Sequence, residues 1–191
     1  MAIRKVARMG HPVLRQVGRK VQKNEVGSPE LERLIDDMVE TMHEYDGIGL
    51  AAPQVHESVQ VAVIEFDEEN PRYQGMGLQP QMVFLNPVIT VLDPTPQSYW
   101  EGCLSIPEIR GLVARPRKVR VDFWDRAGKE SSLVAEGFLA TVVQHELDHL
   151  SGVLFVDRIQ TKPGQTPIAF TEEFSRYGTP SEEDEEGVLD E

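Results

Sequence analysis

Two histidines stand four positions apart in His145-Glu146-Leu147-Asp148-His149. On an α-helix that spacing puts both imidazoles on one face, one turn apart, where they can reach a single metal ion. The glutamate directly after the first histidine projects beside such a metal. It can take a proton from metal-bound water. The plain alternative is a pair of core histidines bonded to their neighbours. Hydrolytic chemistry needs a third protein ligand and an open coordination position. No histidine follows His149, and the later acidic residues (Asp157, Glu172, Glu173 and the tail) hold no helical partner position. The one cysteine, Cys103, lies upstream in Glu101-Gly102-Cys103-Leu104-Ser105. As a thiolate it would complete a Cys-His-His set; composition by itself favours an inert buried thiol.

A helix has to carry the two histidines. It is expected from about Glu136 to Gly152, a natural C-terminal stop. Phe138, Leu139, Val142, Val143, Leu147 and Leu150 are apolar on more than one side, so this helix is buried, and its charged groups need partners. A second helix is expected from Pro29 to about Tyr45, capped by Ser28 with Pro29 at its first position. Leu31, Leu34, Ile35, Met38, Val39 and Met42 give it one apolar stripe, read as core. His43, late in that helix, reads as a surface residue. Pro12 opens a short helical turn. Gly47-Ile48-Gly49-Leu50-Ala51-Ala52-Pro53-Gln54 has little side chain, so it is either a tight turn or a place where backbone closely approaches something else. Strands are expected at Val59–Phe66, at Met82–Leu92 with a break at Pro87, at Gly111–Ala114, Lys118–Trp124, Ser131–Ala135 and Val153–Ile159. Asp67–Gln81 reads as a long loop, Asp93–Gln97 as a proline turn, and Arg126–Lys129 as a hairpin.

The chain has 191 residues, 40% hydrophobic and 27% charged, which reads as one soluble globular domain. No apolar run reaches the ~18 residues of a membrane helix, and the N-terminus has no signal-peptide core. A cytoplasmic location without membrane contact is expected. One cysteine excludes an intrachain disulfide. The net charge is −13, and about half of it comes from seven acidic residues in Ser181–Glu191, a stretch with no basic residue. That tail is expected to be disordered from about residue 180. Neither body nor tail offers the basic surface that DNA binding requires.

Three motifs in order closely resemble the peptide deformylases: Gly47-Ile48-Gly49-Leu50-Ala51-Ala52-Pro53-Gln54, Glu101-Gly102-Cys103-Leu104-Ser105 and Gln144-His145-Glu146-Leu147-Asp148-His149. The resemblance runs from about Ile3 to Ile159. It implies an α+β fold, with mixed or antiparallel β-sheets around a central helix bearing the HExxH motif. It also implies a catalytic domain over 1–165, with 166–191 as an extension outside the shared pattern. The implied activity is hydrolysis of the N-formyl group from the initiator methionine of nascent polypeptides, releasing formate. Cys103, His145 and His149 would hold one divalent cation: Fe(2+) in vivo, with Zn(2+), Ni(2+) or Co(2+) as substitutes. Glu146 would be the general base, with the Gln54 side chain and the Leu104 N–H as oxyanion donors. Gly49 would pair with substrate backbone, Ile48, Tyr99, Phe138 and Val142 would line the methionine pocket, and Arg110 would contact substrate beyond it. Tyr99 and Phe138 are bulkier than the aliphatic residues expected there. Glu101 is read as structural, paired with Arg115, and Asp148 as a supporting residue.

Two other readings compete. A peptidase of the HExxH type would cleave internal peptide bonds, but the missing downstream ligand argues against it. An inactive relative would bind formyl-peptides or ribosomes without turnover, but intact Glu146, Gln54 and Cys103 argue against that. The substrate makes a transient ribosome contact an expectation, through Arg15, Arg19, Lys20 and Lys23, and a monomer is expected.

Overall fold

The computed structural model describes residues 2–66, 79–160 and 167–173. The expected acidic tail and most of the expected 67–81 loop lie outside them. Ser28 accepts from the Leu31 amide at 3.2 Å and starts helix α1, Pro29–Glu44; such a cap contributes about 1 kcal/mol. Strands β1 (Gly49–Ala51), β2 (Val61–Phe66), β3 (Gln79–Cys103), β4 (Ile106–Trp124) and β5 (Glu130–Glu136) lead to helix α2, Phe138–Leu150. A last strand, β6 (Ile168–Phe170), follows. The sheet order is β1-β2-β3-β4-β5, with β6 on β4. Every strand pairing is antiparallel, and the one parallel contact is a single bridge between Arg19 and Val59.

Successive residues of an extended strand face opposite sides, and here both sides are covered. Leu50, Val61, Val63, Val83 and Leu85 pack with Leu31, Leu34, Ile35, Met38 and Met42 of α1. Ala51, Ala62, Ile64 and Phe84 pack instead with Ala140, Val143, Leu147 and Leu150 of α2. The imperfect alternation of 59–66 in the sequence has this cause: a strand buried on both faces has no polar side to show. A third cluster, with Leu14, Ile106, Val113, Leu154 and Phe155, lies next to Cys103.

Three expectations are corrected. The turn at Asp93–Gln97 is strand, because β3 runs on to Cys103 with register shifts between Val91 and Asp93 and between Asp93 and Pro96. Over 88–103 its only strand neighbour among the described residues is β4, so Pro94 and Pro96 withhold no needed donor. The break at Pro87 is a bulge, with Asn86 at φ 52°, where β3 exchanges β2 for β4 as its neighbour. Val153–Ile159 is not a strand: Phe155–Asp157 forms a 3-10 turn, held by the Leu154 amide donating to Asp157 Oδ2 at 2.8 Å. An apolar run signals burial but does not fix the backbone as extended.

Candidate metal centre

Cys103 ends β3, and His145 and His149 lie one turn apart on α2. The fold brings their ligand atoms within 4.8 Å of one another. Cys103 Sγ stands 3.3 Å from His149 Nε2. His145 directs Nδ1 at Glu101 Oε2, 2.8 Å away, which leaves Nε2 for the centre. A carboxylate on the far nitrogen of a ligating histidine fixes its tautomer and strengthens it as a donor. Glu101 thus orients His145 as well as pairing with Arg115, at 2.6 and 2.9 Å. Arg115 also donates to Asp148 Oδ2 at 2.8 Å, and Asp148 accepts from Arg158. Phe155 stacks on His145, ring centroids 6.1 Å apart.

The electrostatics suit a cation. Burial opposes charge on His145, but Cys103 and Glu101 more than offset it and raise its pKa well above 6.5. Burial, then the neighbouring charge of His145, lower that of His149 well below 6.5. The thiol and carboxylate therefore already draw one positive charge to this point. A divalent cation there would replace it and leave both rings neutral, as metal ligation requires. One thiolate with two imidazoles suits zinc or iron(II).

Burial pushes Glu146 up to about 7. Its Oε2 is buried with no hydrogen-bond partner, and the residue lines a cleft of about 260 Å³. The carboxyl stem lies against the Gly49 Cα, which is the close approach that the glycine-rich motif permits. Gln54, buried in a 3-10 turn, accepts from the Ala51 amide at 2.8 Å through Oε1. Its Nε2 faces Cys103 Sγ at 3.4 Å and Ser105 Oγ at 3.3 Å.

Ile48, Gly49, Leu104 and Arg110 also line the cleft; the Arg110 guanidinium packs on Gly102. Tyr99, Phe138 and Val142 do not line it. Val142 is buried in the cluster under α2, Ile48 and Phe138 pack against that cluster, and the Tyr99 ring stands 5.5 Å from that of Phe138. His43 is exposed and bonded to Glu65 at 2.9 Å. Sequence reasoning did not find Arg8, Asp46, Glu108 and Thr171 at the cleft. Asp46 (φ 52°) and Glu108 (φ 65°) are non-glycine residues in the left-handed region, a conformation common at functional sites and without a sequence signature here.

The family model of polypeptide deformylase matches residues 3–164. A peptide deformylase of Leptospira biflexa serovar Patoc is 44% identical over 161 residues, covering 84% of this chain and 90% of that one. Peptide deformylase 1 of Bordetella pertussis is 45% identical over 172 residues, covering 89% and 96%. Among solved structures, the Met-Ala-Ser-bound class I type b peptide deformylase from Acinetobacter baumannii superposes with a TM-score of 0.80. It is 39% identical, over 83% of this chain and 99% of that one.

Proposed function

The chain belongs to the polypeptide deformylase family, and on that premise we propose how its residues divide the work of removing the N-formyl group from formylmethionyl nascent peptides. Cys103, His145 and His149 would hold the divalent cation, Fe(2+) in the cell with Zn(2+), Ni(2+) or Co(2+) as substitutes. When bound, that ion supplies Lewis acidity and brings the pKa of water towards ~7. Glu146 takes the proton of the attacking water on its carboxylate and returns it to the leaving amine nitrogen. The Gln54 side-chain N–H and the Leu104 backbone N–H donate to the formyl oxygen as it gains charge.

β1 pairs with β2 on one edge and ends the sheet on the other, so Gly49 can take the peptide as an added strand. The methionine side chain passes Ile48 towards Val142, with Phe138 and Tyr99 closing the pocket, and Arg110 meets the residues that follow. Residues 1–165 form the catalytic domain. Of the 166–191 extension, Ile168–Phe170 pairs with Ile109–Gly111 of β4. No helix among the described residues is long and apolar enough to cross a membrane. The working form is a cytoplasmic monomer that meets the ribosome transiently.

The observation that carries this reading is the convergence of Cys103, His145 and His149 beside a buried, unpartnered Glu146 carboxylate oxygen. The test is formate release from formyl-Met-Ala-Ser by metal-replete protein. Glu146→Ala is expected to lower kcat about 10³-fold with metal content unchanged. Metal-replete protein that releases no formate would refute the reading, and cleavage of internal peptide bonds would favour a peptidase.

A further inference from the structure

The N-terminal segment touches both oxyanion-donor loops within three consecutive residues. The Ala7 amide donates to the Gln54 carbonyl at 2.7 Å, and the Met9 amide to the Ser105 carbonyl at 2.8 Å. Between them, Arg8 Nη1 donates to the Leu104 carbonyl at 3.0 Å, across 96 positions of sequence. Ala7 is buried and Arg8 is exposed, so the chain passes over the loops with its backbone bonded to them and one side chain reaching back. Gln54 Nε2 and Ser105 Oγ, 3.3 Å apart, join the same two loops from below.

The Leu104 N–H can serve the formyl oxygen only if the peptide that carries it keeps its orientation. The peptide groups on its C-terminal side end in the Leu104 and Ser105 carbonyls, and both are held by 8–9. A donor aimed at developing charge has to be held to within about half an ångström. The two amide donors cannot be removed by changing a side chain, but the Arg8 guanidinium can.

We propose that Arg8 is a positioning residue for deformylation: through the Leu104 carbonyl it holds the Cys103–Ser105 backbone in the orientation that presents the Leu104 N–H to the formyl oxygen. This rests on the reading of Gln54 and Leu104 as the oxyanion donors. Arg8 itself touches no reacting atom.

The experiment uses the metal-replete full chain, with metal content and Tm measured for each variant. Arg8→Ala is expected to lower kcat on formyl-Met-Ala-Ser about tenfold, a fraction of the ~10²–10³ lost with a whole donor. KM should stay within about twofold, because ground-state binding is untouched. Arg8→Lys should recover most of the loss, since an ammonium can donate to the same carbonyl. Amide exchange in Arg8→Ala should rise over 102–106 and not across α1. A kcat within about twofold of the parent, a change in KM alone, or an Arg8→Lys as slow as Arg8→Ala would overturn the proposal. Gln54→Ala separates it from its premise. If Gln54→Ala loses kcat while Arg8→Ala does not, the positioning role fails and the donor reading stands. If Gln54→Ala keeps full kcat, the donor reading fails first.

Discussion

A Cβ placed on Gly49 would stand 2.7 Å from the carboxyl carbon of Glu146 and 2.8 Å from its Cγ. Those distances are below any real contact, and Glu146 is buried on α2, so it has little room to yield. Gly49→Ala is therefore expected to displace the carboxylate rather than the strand. A shift of about 1 Å in a catalytic group can cost ~10²-fold, so kcat should fall by about that factor while metal content and the melting curve stay close to the parent. Steady-state kinetics beside calorimetry would check this, and an Ala variant with near-parental kcat would remove Glu146 from the role of base. The site was largely legible in sequence at this scale because its chemistry depends on rare residues: one cysteine, and two histidines at helical spacing. What was not legible depends on three-dimensional proximity. The bond from Glu101 to His145 joins positions 44 apart. Arg8 reaches Leu104 from the other end of the chain, and no periodicity records either contact.

Between elements, the N-terminal segment is anchored to α1 before it reaches the cleft. Asp37 accepts from the Ala2 amide at 2.7 Å and from Arg4 Nε at 3.1 Å. Thr41 accepts from the Arg4 amide at 2.8 Å. Burial alone would raise the Asp37 pKa, but the Ala2 amide and the Arg4 guanidinium more than offset it, so the carboxyl titrates below its ordinary 3.8. A depressed carboxylate stabilises the fold only while it is ionised. Its contribution is whole above the unfolded pKa near 3.8 and is lost as pH falls through the lower folded value. Asp37→Asn should thus cost about 1.5 kcal/mol at pH 7, the worth of hydrogen bonds to a charged group, and the gap to the parent should close below pH ~4. Urea melts at the two pH values would test it; a gap that widens on acidification would mean that the sign is wrong. Elements were legible where one physical cue dominated. The Ser28 cap and the apolar stripe of α1 fixed that helix nearly to the residue. They were illegible where two cues conflicted: Pro94 and Pro96 argue for a turn in isolation, yet they sit harmlessly on the unpaired edge of β3. Leu154 and Phe155 argue for a strand, yet Asp157 closes them into a turn.

Across the whole molecule, the candidate metal centre joins the end of β3 to two successive turns of α2, and α2 in turn packs against β1, β2, β4 and β5. An ion held by Cys103, His145 and His149 would therefore link the strand layer to the helix on one of its faces, and its removal should register in global stability as well as in catalysis. A ligand that binds only the folded state adds about 2.7 kcal/mol at a free concentration one hundred times its Kd. For a chain of this size each kcal/mol moves Tm by roughly 2–4 °C. Chelation is expected to lower Tm by about 5–10 °C, less whatever affinity the unfolded thiol and imidazoles retain. Reloading with Fe(2+), Zn(2+), Ni(2+) or Co(2+) should restore Tm in every case, because all four suit the same donor set. Activity should discriminate among them, because the reaction depends on the acidity each ion confers on water and not on the cross-link. Cys103→Ser should melt near the chelated parent and respond little to added metal. If chelated, reloaded and Cys103→Ser proteins all melt together, the three residues do not hold a metal that matters to the fold. If the metals restore activity and Tm in strict proportion, the separation of structural from chemical roles made here is wrong.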